Sequence, residues 1–254
     1  MLSSGHAFDP EVALTRARAA SVSLPFTIHR QPDDVTCGPT CLQAVYAYHG
    51  HDVPVQDLVR SVPKLDAGGT LGVLLATDAL ARGFRVKVVT WNLRIFDPTW
   101  FRDPRPPLVA KLRARAEAKP DRPKLQLAAS AYADFVERGG KVEFRDLEPA
   151  LLRNALRRRI PILTGLSATF LYREERQRED DDVPDDLRGD PVGHFVVLTG
   201  YDARKREVHV SDPMHPNARS TTHTYQVGIE RLVGAIYLGV RTYDANLILI
   251  EPAG

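Results

Sequence analysis

Along the first half of the chain apolar residues recur at helical spacing; along the second they fall in short runs or alternate. Leu42, Val45 and Tyr46 repeat at the three-to-four interval of one helix face, in a segment that begins at Cys37 and stops at Gly50. The same periodicity predicts helices over 55–62, 71–82, 109–118, 127–138 and 149–158, with Gly83 and the pair Gly139-Gly140 as stops. Alternating or uniformly apolar runs predict strands over 26–29, 84–89, 142–144, 160–166, 194–201, 206–212, 235–241 and 246–250. A helix over 226–232 and a short one around 11–20 complete the set, and 202–205 reads as a hairpin turn. Helices gathered ahead of strands point to an α+β fold, with helices packed on one side of a mostly antiparallel sheet.

A length of 254 residues allows one sizeable core, and the chain reads as a single domain over 1–254. Residues 1–24 form a peripheral arm in this reading, and 97–123 and 173–190 form insertions or loops. Hydrophobic residues make up 43% and charged residues 26%, with a net charge of +2. That balance gives no reason to expect a nucleic-acid or membrane partner. No apolar run reaches the ~18 residues of a membrane span, and the N-terminus lacks a basic start followed by an apolar stretch. The two cysteines, Cys37 and Cys41, project in similar directions one helical turn apart, which disfavours a mutual disulfide. A reducing, cytoplasmic setting is therefore expected. The oligomeric state is left open.

Three blocks carry chemistry. In the first, Cys37 opens the helix that follows a polar loop, so its thiol sits where unpaired N–H groups favour an anion. The thiolate is the nucleophilic form of cysteine. Pro39 suits the first helical turn, and Gly38 is read as clearing space for an approaching substrate backbone. Gln31 lies upstream, with a side-chain amide suited to an oxyanion alongside the Cys37 N–H. In the second block, His194 begins an apolar strand beside Gly193 and is the candidate base. In the third, Asp212 ends the partner strand of the expected hairpin, where it can accept a proton from His194 and fix its tautomer.

Other features read as structural. Cys41 falls on the apolar face of its helix and is assigned to the core. The arginines at 157–159 suit a helix C-terminus. Cys37, Cys41, His49 and His51 do not have zinc-ligand spacing. The tract 173–190 holds nine carboxylates and four arginines, the composition of a solvated loop. Because it ends just before His194, a lid favouring cationic substrates is a further expectation.

Gln31, Cys37-Gly38, Cys41-Leu42, Gly193-His194-Phe195 and Asp212-Pro213 together resemble the papain-like cysteine peptidases. More closely, they resemble the bacteriocin-processing (double-glycine leader) peptidases and their stand-alone relatives. The resemblance covers roughly 26–50 and 148–213. It implies a papain-like fold with the Cys helix in an N-terminal helical lobe and the His in a C-terminal sheet. It also implies an oxyanion-hole role for Gln31, nucleophile for Cys37, base for His194 and orienting acid for Asp212, with no metal or organic cofactor. No transporter or nucleotide-binding domain follows the blocks, so coupling to export is not expected. The expected activity is a thiol-dependent hydrolase acting on a peptide or amide, a peptide leader among the options, through a thioester. Acyl transfer or ligation by the same residues is the alternative enzyme, and a peptide-binding groove without turnover the alternative class.

Overall fold

Helix α1 (Cys37–Tyr48) buries Cys41, Leu42, Val45 and Tyr46 completely, and Gly50 at φ 80° takes the chain out of it. The computed structural model describes residues 21–65, 68–104 and 106–253. The helix expected around 11–20 lies outside the described residues. Helices α2 (Val55–Ser61) and α3 (Gly72–Ala81) pack on α1, and α5 (Pro123–Glu137) packs on α3 and on α4 (Leu108–Glu117).

Beneath these helices lies an eight-stranded sheet: β1 (Val22–Ser23), β2 (Arg85–Thr90), β3 (Lys141–Glu143), β4 (Ile162–Ser167), β5 (Gly193–Asp202), β6 (Glu207–Ser211), β7 (Thr224–Gly228) and β8 (Asn246–Glu251). The order is β3-β2-β8-β4-β5-β6-β7, with β1 pairing β5. Every pairing is antiparallel except β2 with β3. The α+β class expected from the sequence is therefore present, with the Cys helix on a mostly antiparallel sheet.

The second sheet face is covered as well, which the sequence reading did not anticipate. Successive residues of β5 alternate between two cores: Phe195 and Val197 face α1, while Val196 and Leu198 face the other side. There they meet α6 (Pro149–Arg157), α7 (Ala168–Tyr172) and α8 (Ile229–Leu238) through Leu152, Leu156, Leu171, Leu232 and Ile236. A strand covered on both faces reads as a continuous apolar run, and β5 does so.

Three local expectations are corrected. Residues 26–29 form no strand, and the pairing with β5 is made earlier, by β1. The strand expected over 235–241 is helical, because Ile229, Leu232, Ala235 and Ile236 bury one helix face and the apolar run is too short to reveal its period. Gln226 belongs to β7, paired with His209 of β6, rather than to a helix.

Candidate active site

The loop before α1 folds on Asp33. Its carbonyl accepts from the Thr36 N–H at 3.4 Å, the Thr36 hydroxyl at 3.1 Å and the Gln31 amide at 2.8 Å. The helix then begins at Cys37, with its first bond from Thr40 N–H to the Thr36 carbonyl at 3.0 Å. Pro39 has no N–H, so the helix tip offers the Cys37 and Gly38 amides. The Cys37 thiol is partly exposed.

One turn further along, the Cys41 thiol donates to the Phe195 carbonyl at 3.2 Å. Phe195 follows His194, so this bond fixes the turn that bears Cys37 against the strand that carries the imidazole. Burial, then the nearness of Cys37 and Asp212, push the Cys41 thiol well up and keep it protonated as the donor. Gly38 has a different role from the one expected. A Cβ there would meet Thr70 at 2.9 Å, Leu75 at 3.1 Å and Phe195 at 3.3 Å, all interior side chains. Its missing side chain lets α1 settle on its neighbours rather than admitting substrate.

His194 is buried at the start of β5, and the Cys37 side chain is among the neighbours that raise its imidazole. Nε2 is engaged by Asp212 Oδ1 at 2.8 Å, which leaves Nδ1 for the thiol. Asp212 follows β6 and is fully buried. Its backbone is held on both sides, since the Asp212 N–H donates to the His223 carbonyl at 2.8 Å and His223 Nδ1 lies 3.1 Å from the Asp212 carbonyl. Gln31 reaches this corner through its backbone N–H, which donates to the Pro213 carbonyl at 3.0 Å. One Gln31 side-chain N–H is spent on Asp33, and the buried Oε1 has no hydrogen-bond partner.

The sequence reading missed two residues at this carboxylate. Tyr172 and Tyr225 both donate to Asp212 Oδ2, at 2.6 and 2.8 Å, and the Met214 N–H donates to Oδ1 at 2.9 Å. A buried carboxylate needs more donors than one imidazole supplies, and that is the signal for such partners. Which hydroxyls answer it depends on α7 and β7, elements the local pattern did not reveal.

Burial alone would lower the His194 imidazole and raise the Asp212 carboxyl. Their mutual attraction and hydrogen bond outweigh burial, with the two phenols adding to the effect on Asp212, so His194 is raised and Asp212 lowered. The sign of the stability effect follows from linkage. For His194, raised above 6.5, the contribution is complete below 6.5 and disappears as pH climbs through the folded value. For Asp212, lowered from 3.8, it is complete above 3.8 and disappears as pH falls through the folded value. The His194→Gln protein should therefore show its largest stability deficit between about pH 4 and pH 6.5, narrowing on either side. Urea unfolding of both proteins across that range and beyond checks this; a deficit that grows above neutrality contradicts it.

With this geometry established, the comparisons place the architecture. A Peptidase C39-like family profile matches residues 138–241. A structure described as a C39-like peptidase from Bacillus anthracis superposes with a TM-score of 0.50 at 13% identity, covering 92% of this chain and 98% of that one. The fold is that of a C39-like peptidase. Xylellain, a cysteine protease from Xylella fastidiosa, aligns at 14% identity over 92% of this chain and 87% of its own, with a TM-score of 0.44. A double glycine motif protease from an AMS/PCAT transporter, solved with the leader peptide, aligns at 11% identity over 91% and 95%, with a TM-score of 0.43. No curated protein matches the chain. The C39-like profile spans the elements carrying Tyr172, His194, Asp212 and Tyr225; Gln31 and Cys37 lie upstream of it. Among the described residues no helix of this C39-like fold is long and apolar enough to cross a membrane.

Proposed function

We propose that this C39-like protein hydrolyses a peptide or amide bond through a thioester on Cys37. The observation that carries this reading is the buried Asp212–His194 pair at 2.8 Å, with Cys37 among the neighbours that raise the imidazole. His194 takes the thiol proton at Nδ1, and the sulfur attacks the substrate carbonyl carbon. The oxyanion forms at the tip of α1, facing the Cys37 N–H, with Gln31 as the side-chain donor. As the tetrahedral adduct collapses, His194 gives its proton to the leaving amine. Water, deprotonated by the same nitrogen, then cleaves the thioester and restores the thiol. Asp212 keeps the ring oriented and stabilises the imidazolium throughout.

Alkylation separates this enzyme from a groove that only holds peptide. At neutral pH, iodoacetamide should label Cys37 of the wild type rapidly and Cys37 of His194→Ala at least about tenfold more slowly, the base being gone. Equal labelling rates in the two proteins would remove His194 from the role of base. Turnover of a fluorogenic peptide library, with release of free carboxylate measured against transfer to added amine, distinguishes hydrolysis from ligation.

A further inference from the structure

The far end of α1 from Cys37 borders a cavity of about 700 Å³ that the chemistry above does not use. With 1.5 Å of rise per residue, the two ends of this helix are ~18 Å apart. The cavity is lined by Tyr48 and His49 of α1, Arg85 of β2, Glu251 of β8, and Arg158 and Arg159 beyond α6. The lining thus carries three arginines and one glutamate, an excess of two positive charges. Glu251 accepts from Arg158 at 2.5 Å and lies 3.9 Å from Arg85. Arg159 makes no ion pair among the described residues. Burial lowers the His49 ring, whose Nε2 lies 3.0 Å from the Ile250 carbonyl.

The backbone gives a second, independent observation. Helices α1, α3 and α5 exit through glycines in the left-handed region, Gly50, Gly83 and Gly139 at φ 80°, 89° and 94°. Helix α6 exits through Arg159 at φ 64°, a conformation that disfavours any side chain, as α7 does through Arg173 at φ 64°. Arg159 occupies a glycine position and lines the cavity.

We infer that this cavity binds a small organic phosphate, its dianionic group held by Arg85, Arg158 and Arg159 and its organic body against Tyr48 and Ile160. A phosphate monoester carries about −1.5 to −2 at neutral pH, matching the excess charge that Glu251 leaves. Guanidinium forks suit phosphate oxygens in bidentate contact, and the apolar wall distinguishes the site from a bare cationic surface. This inference stands apart from the thiol chemistry.

Titration calorimetry with phenyl phosphate, repeated with inorganic phosphate and with chloride at matched ionic strength, tests it. Wild type should bind phenyl phosphate saturably and more tightly than inorganic phosphate, with no saturable response to chloride. Arg159→Gly relieves the backbone while removing the guanidinium, so it should be at least as heat-stable as wild type yet bind about tenfold more weakly. Arg158→Ala should weaken binding as well, by freeing Glu251 to repel the ligand. Unchanged affinity in Arg159→Gly, or a wild type that responds only to ionic strength, overturns the inference.

Discussion

Cys37→Ala should abolish peptide turnover, a fall of about 10⁵- to 10⁶-fold, while leaving the folded protein almost as stable as before. The loss is total because no other group at the tip of α1 can form the thioester. Stability is spared because Cys37 is only partly buried and packs at the margin of the core. Cys41→Ala should show the opposite profile. It removes a fully buried sulfur and its 3.2 Å bond to the Phe195 carbonyl, at a cost of about 1–3 kcal/mol, and slows turnover far less. A peptide assay and calorimetry on the two variants suffice. If Cys41→Ala is the inactive protein and Cys37→Ala the active one, the nucleophile has been misassigned.

Asp212→Ala should fail in both respects. It leaves the His194 ring, the Tyr172 and Tyr225 hydroxyls and the Met214 N–H facing an empty acceptor position. Breaking a buried ion pair by removing one partner typically costs about 3–5 kcal/mol, or roughly 10 °C in a domain of this size. Asp212→Asn keeps an oxygen for the phenols but cannot balance an imidazolium, so it should retain most of the stability and lose about 10⁴-fold in kcat. The contrast between Ala and Asn separates the support given to the fold from that given to the ring. An Asp212→Asn protein with near-normal kcat would show that His194 needs no carboxylate.

Much of this arrangement was legible because its signals are local. Cys37 opens a periodic helix, His194 lies at the start of an apolar strand, and Asp212 directly follows the neighbouring one; each position follows from spacing within about ten residues. The α1–β5 contact that brings them together is tertiary and was supplied by resemblance, not by pattern. The two tyrosines were hidden for a definable reason. Tyr172 belongs to α7, a five-residue helix started by the Ser167 hydroxyl accepting from the Phe170 N–H at 3.3 Å, too short to show a period. Tyr225 belongs to β7, where alternation is weak because only Val227 of the strand is fully buried. Gly38 illustrates the converse, a correct residue given the wrong reason, since its neighbours Thr70 and Leu75 come from a separate segment of the chain.

The position of β8 has a consequence for how the protein is made. This strand fills the gap between β2 and β4, with Asn246–Ile250 buried in the middle of the sheet. Until it leaves the ribosome, the β2–β3 pair and the β4–β7 block each present a bare hydrogen-bonding edge, and nothing joins them into one sheet. Maturation is thus a closing event rather than a gradual one: the nascent polypeptide gains its rigid platform only once residues 246–251 are in place, and a fragment ending at residue 241 would expose two sticky margins.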